Sequence, residues 1–202
     1  MKIPSPITRF PGPSHCVGVG ILLAALVITC LTPRIDHGFW RELGFEISEP
    51  HARFQFYNLF LSLGIVVLLY LAYAARSRAS FFRVTTVMVT ETALYGLVKL
   101  ITWRVFHLFP RPSHGDGGFP SGHTAAVCAL AFLLTERWPR AAPLWYAIAA
   151  AVAWSRWAAG AHYPYQIVAG AILGLTVAVV LSPLFPEKIG HKPTKDPLPN
   201  DN

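Results

Sequence analysis

Charge is scarce in this sequence. Asp, Glu, Lys and Arg make up 13% of its 202 residues against 53% hydrophobic ones, with a mean hydropathy of +0.44. An ordinary soluble domain carries about a quarter charged residues, so the chain is too apolar for that class and reads as a polytopic membrane protein. Acidic residues are scarcer still, 10 against 17 Lys and Arg, which leaves a formal charge of +7. That surplus is scattered in short clusters between apolar runs, without the continuous basic stripe of a nucleic-acid binder. Cysteine is nearly lacking: Cys16, Cys30 and Cys128 all lie in apolar runs. Neither a disulfide framework nor a thiolate metal site is indicated, and all three are expected to be buried spectators. No internal repeat and no broken-helix pattern of the transporter kind is visible. The first apolar run follows Lys2 and Arg9, as in a signal peptide, but "AALVITCLTP" offers no A-x-A cleavage pattern and no convincing lipoprotein cysteine. It is read as an uncleaved span.

Long apolar runs are what the sequence has in abundance. A helix crossing a bilayer needs about 20 largely apolar residues at about 1.5 Å rise each. Six runs approach that: Val17 to Leu31, Phe54 to Ala75, Val84 to Trp103, His123 to Thr135, Ala142 to Trp157 and Tyr165 to Leu184. The fourth is short for a span, and a bundle interior would shelter its polar end. The expected fold is all-α, a polytopic bundle of six transmembrane helices over residues 1–185. A polar, proline-rich tail follows over 186–202, predicted to be disordered and cytosolic. Between the first two runs, Phe39, Trp40, Leu43 and Ile47 recur at near-helical spacing and predict a short helix in the outer interface.

Orientation follows from Lys and Arg in the connecting segments. With the N-terminus in the cytosol, the inner side holds Lys2, Arg9, Arg76, Arg78, Arg83, Arg137, Arg140, Lys188, Lys192 and Lys195. The outer side holds Arg34, Arg41, Arg53, Arg104, Arg111 and Arg156. This asymmetry predicts cytosolic termini.

Two outward loops, Arg104 to Gly122 and Ser155 to Pro164, then concentrate cations and imidazoles at the ends of apolar runs. Guanidinium forks match phosphate oxygens in two-point contacts, and Ser121 adds a hydroxyl. Gly122 lets backbone N–H groups approach closely at the start of a helix, whose dipole favours an anion. His162 and His123 supply what a phosphate receptor alone lacks, one imidazole to attack phosphorus and one to move a proton. The combination predicts phosphoryl transfer without a metal or other cofactor.

These blocks resemble the type 2 phosphatidic acid phosphatase family, whose pattern is K-x6-RP, then PSGH, then SR-x5-H-x3-D. Arg104-x6-Arg111-Pro112 fits the first block with arginine in place of lysine. Pro120-Ser121-Gly122-His123 fits the second. Ser155-Arg156-x5-His162 fits the third, followed at the right spacing by Gln166 instead of aspartate. The resemblance implies that His162 attacks phosphorus to form a phosphohistidine and that His123 protonates the departing lipid oxygen. Arg104, Arg111, Arg156, Ser121 and the Gly122 amide would hold the phosphate oxygens. Gln166 would select the His162 tautomer through its carbonyl without supplying negative charge. The implied substrate is a membrane lipid phosphate or polyprenyl diphosphate, and the implied place is a bacterial cytoplasmic membrane with the site facing outward. Undecaprenyl diphosphate, phosphatidylglycerophosphate and lipid A phosphatases are equally compatible.

Other polar residues have plainer readings. His107 and His114 match no block and are read as interfacial or loop residues. Glu91, near the middle of the third run, should face the bundle interior with a partner such as a hydroxyl. Lys99 is read as a snorkelling cation, and Trp103, Trp154, Trp157, Tyr163 and Tyr165 as an interfacial belt. Two alternatives remain open: a silent lipid-phosphate binder, supported by Gln166, and a transport component lined by Glu91 and Lys99.

Overall fold

The computed structural model describes residues 13–31, 50–109 and 117–185. Among these residues the chain is all-helical. Its helices are α1 (Pro13–Leu31), α2 (Pro50–Ala74), α3 (Arg78–Lys99), α4 (Gly122–Arg137), α5 (Ala142–Ala158) and α6 (Pro164–Leu181). Each matches one of the apolar runs. α3 continues without a break into a π-helical turn, Leu100–Val105, and short 3-10 turns, Pro139–Ala141 and Ser182–Leu184, follow α4 and α6. The expected interfacial helix, Arg111, His114 and the tail lie outside the described residues.

Local chemistry sets the helix ends. Ser77 opens α3, its hydroxyl accepting the Ser80 N–H at 3.0 Å. Pro164 starts α6, where a missing N–H costs nothing and the fixed φ suits the first turn. After α5 the chain turns at Gly160, whose φ of 63° is the left-handed region that glycine enters without a Cβ penalty.

α4 is the centre of the bundle. Every residue from Thr124 to Thr135 is buried, so the shortest apolar run is an interior helix whose polar start the other helices shelter. α6 lies hard against it. A Cβ on Gly170 would come 2.4 Å from the Ser121 carbonyl oxygen, and one on Gly174 would come 2.0 Å from that of Ala125. Gly170 and Gly174 thus form a small-xxx-small seam that lets the two backbones touch. Gly174→Val should lower stability by about 3 kcal/mol, while Gly64→Val, at an open position, should stay within about 0.5 kcal/mol. Melting of both variants in detergent checks this.

At the Glu136 end of α4 a polar cluster ties the elements together. Arg83 pairs with Glu136 at 2.5 Å and donates to the Tyr73 hydroxyl at 3.1 Å. The Ser182 hydroxyl donates to the other Glu136 oxygen at 3.4 Å, and Arg76 lies over the Trp138 ring. The cluster joins α2, α3, α4 and the end of α6, so removing one charge would strand its partner.

Among the described residues, two helical stretches, Arg78–Val105 and Pro164–Leu184, are long and apolar enough to cross a bilayer. Leu61, Leu68, Phe82, Val89, Ile172 and Val180 are exposed, an outer surface that lipid covers better than water. Glu91 is buried as expected, with the Thr92 hydroxyl donating to it at 3.4 Å. Two expectations are corrected. Cys16 is exposed, because α1 turns His15, Gly18 and Leu22 inward instead; Cys128 is buried as expected. Trp157 is buried in the core rather than exposed in a belt, whereas Trp154 and Tyr165 are exposed.

Candidate active site

The site grows out of the turn between α5 and α6. Past Gly160, the backbone N–H groups of Ala161 and His162 both donate to the Arg156 carbonyl, at 3.1 and 3.2 Å. This tight return buries His162, which is 3% exposed, beside the last turn of α5. Arg156 is itself buried, at 5%. Long charged side chains are seldom buried without a dedicated environment.

His162 is then fixed from two sides. Its Nδ1 lies 2.9 Å from the Gly118 carbonyl oxygen and 3.2 Å from Gln166 Oε1. Both partners are acceptors, because the remaining contacts of the Gln166 amide fix its orientation. Oε1 accepts the Tyr163 N–H at 3.1 Å, while Nε2 donates to the Phe109 carbonyl and the Tyr165 hydroxyl, each at 3.2 Å. A flipped amide would set donor against donor and carbonyl against carbonyl. Nδ1 therefore carries a proton, and in the neutral imidazole Nε2 is the nitrogen with the lone pair.

The start of α4 is brought to the same place through α6. The Ser121 N–H donates to the Gln166 carbonyl at 2.9 Å, and Gly170 lies beneath the Ser121 backbone. Gly122 and half-buried His123 form the first turn of α4, where backbone N–H groups lack intrahelical partners and the dipole favours negative charge. A Cβ on Gly122 would come 3.0 Å from the Tyr95 ring, so any side chain there would press the ring aside by a few tenths of an ångström. Ser121 is fully buried, and its hydroxyl lies 3.0 Å from that of Thr124.

Backbone hydrogen bonds thus tie Ser121 to Gln166 and His162 to Arg156 around the starts of α4 and α6, with Gly122 and His123 next along the chain. Arg104 does not join them by any described contact. It lies on the π-helical turn and is exposed. Arg111 lies outside the described residues. Sequence reasoning missed the Phe109 and Gly118 carbonyls, which no side-chain motif encodes. It also read Tyr165 only as an interfacial aromatic, although its hydroxyl meets Gln166 and its ring adjoins those of Phe109, Phe119 and Tyr163. Gly117 and Gly118 were the one available signal, because a chain approaching this closely needs residues without side chains.

An oriented imidazole, a second imidazole on a helix start and a buried guanidinium are groups suited to attack on an anionic phosphorus centre. The model of the PAP2 superfamily matches residues 84–189, which include every one of these groups. The bacitracin transport permease protein BcrC of Bacillus licheniformis is 30% identical over 158 residues, covering 73% of this chain and 75% of that protein. A protein of Escherichia coli (strain K12) named "Putative undecaprenyl-diphosphatase YbjG" is 31% identical over 122 residues, covering 52% of this chain and 60% of its own length. No solved structure matches the chain. With three motif blocks in order on six helices and a family match spanning more than half its length, the chain belongs to the PAP2 superfamily, the family of type 2 phosphatidic acid phosphatases.

Proposed function

We propose that the chain is an integral membrane lipid phosphatase that cleaves a lipid phosphomonoester or diphosphate through a phosphohistidine at His162. The observation that carries this reading is the bonding of His162, whose Nδ1–H is held by two acceptors so that Nε2 is the nucleophile. Nε2 attacks phosphorus as the bond to the leaving lipid oxygen breaks, and His123, as an imidazolium, gives that oxygen its proton. His123 then takes a proton from water as the water oxygen displaces His162 Nε2, which releases phosphate. Arg156, Arg111, the Gly122 amide and the start of α4 hold the three remaining oxygens as charge spreads over them.

A helix-start site of this kind suits an amphiphile whose phosphate stays at headgroup level while its tails remain in lipid. The name of the Escherichia coli relative favours a polyprenyl diphosphate. All six helices are taken to cross the cytoplasmic membrane, with both termini cytosolic and the site facing outward, as the Lys and Arg distribution indicates. The name of the Bacillus relative favours transport instead, but a permease path has no need of an imidazole held in one tautomer.

Purified protein in detergent should release phosphate from a polyprenyl diphosphate with EDTA present, faster than from phosphatidic acid or phosphatidylglycerophosphate. A preference for a soluble sugar phosphate would overturn the lipid assignment. Lipid-phosphate binding with no release would favour the silent binder, and a dependence on added metal would remove the phosphohistidine route.

A further inference from the structure

We propose that Lys99, rather than Arg104, is the cation that α3 contributes to the phosphate site. This inference rests on the phosphatase reading above. Ser80, Val84, Val87 and Glu91 form the buried stripe of α3. The stripe continues at helical spacing through Tyr95 to Lys99, both half-buried. The Tyr95 ring is the surface against which Gly122 rests, so close that an added Cβ would lie 3.0 Å from it. The Lys99 ammonium lies 5.9 Å from the centroid of that same ring, within reach of its electron-rich face. One aromatic ring therefore joins Lys99 to the residue that opens α4, whose N–H groups face the phosphate.

Arg104 is placed differently, and the backbone gives the reason. Directly after Lys99 the α-helix widens into the π turn Leu100–Val105, which changes the rotation of every later side chain. Within it, Thr102 and Trp103 take the inward positions. The Thr102 hydroxyl lies 3.5 Å from the Phe119 carbonyl, and a Cβ on Gly117 would come 2.5 Å from that of Trp103. Arg104 is exposed, and no described residue engages it. The position that matches the motif by counting is thus turned off the site, while the cation one α-helical turn beyond Tyr95 stays at its edge. A compact ammonium on a four-carbon stem can pass from the ring face to a phosphate oxygen without moving the backbone.

Lys99→Met, Lys99→Arg and Arg104→Met should be purified in detergent and compared in two measurements. The first is hydrolysis of a polyprenyl diphosphate, with kcat and KM separated. The second is the rise in melting temperature caused by orthovanadate, a probe of the phosphate site that requires no turnover. Lys99→Met should lower kcat/KM about a hundredfold and abolish the vanadate shift, as loss of one transition-state contact does. Lys99→Arg should recover to within about tenfold, because it restores the charge, and a purely structural defect would not be rescued by it. Arg104→Met should stay within about threefold and keep its vanadate shift, in line with loss of an exposed cation. A larger loss in Arg104→Met, or full activity and an intact shift in Lys99→Met, overturns the assignment. Wild-type protein that shifts with vanadate but releases no phosphate would sink the phosphatase reading alone, since the shift still decides between the two cations. Wild-type protein with neither response would sink both.

Discussion

His162→Ala should abolish turnover, lowering kcat by on the order of 10⁴-fold or more, as loss of a covalent nucleophile does in other enzymes. Substrate binding should survive within about threefold, because the cations and the start of α4 hold the phosphate while the imidazole acts only when the phosphorus–nitrogen bond forms. The variant should remain folded. Its side chain packs between two carbonyl oxygens at a turn rather than inside a helix seam, and the backbone N–H of residue 162 still reaches the Arg156 carbonyl. A substrate labelled in its transferred phosphate should mark wild-type protein with an acid-labile, base-stable adduct that His162→Ala lacks. His123→Ala provides the complementary case. If His123 activates water for the second half of the reaction, its loss should leave labelled protein to accumulate, and rates should fall less on activated substrates with good leaving groups. Activity of His162→Ala within about tenfold of wild type would show that another group attacks phosphorus.

How much of this was legible beforehand depended on the kind of information each feature carries. Helix positions were readable, because long apolar runs between proline and glycine turns leave the backbone few alternatives, and observed helices begin and end close to those runs. The short fourth run was the ambiguous one. Its length argued against a span, and only packing reveals that α4 is enclosed by the other helices. The Gly170 and Gly174 seam was visible as residues, but what each glycine admits, a carbonyl of α4, required the structure. In the site, histidines and Arg156 could be found by spacing because their chemistry is in the side chain. The Phe109 and Gly118 carbonyls could not, since every residue carries one. Arg104 was found by counting alone, and the structure adds that it is exposed on the π turn that follows Lys99.

Gln166→Leu should cost about a thousandfold in kcat/KM, more than loss of an ordinary supporting contact, because this one amide performs three tasks at once. Its Oε1 keeps the proton on His162 Nδ1, the same atom accepts the Tyr163 N–H that begins α6, and its Nε2 holds the Phe109 carbonyl. Phe109 has a φ of 59°, an unfavourable conformation for a residue with a side chain, and it precedes the segment that carries Arg111. Gln166 therefore ties His162 to Phe109. Aspartate, present at this place in the family pattern, could perform only the first two tasks. In Gln166→Asp a carboxylate beside the imidazole would stabilise the imidazolium and raise its pKa, so the acid limb of the pH–rate profile should move up by about one unit. Activity is lost as pH falls through that limb, because protonated Nε2 cannot attack. Above the limb the rate should still lie about tenfold below wild type, since a carboxylate cannot donate to the Phe109 carbonyl and leaves it without its side-chain donor. A faster Gln166→Asp enzyme with an unmoved acid limb would mean that glutamine is merely tolerated here. A slower one with a raised limb would mean that the amide replaced aspartate because this loop needs a donor where the family pattern supplies an acceptor.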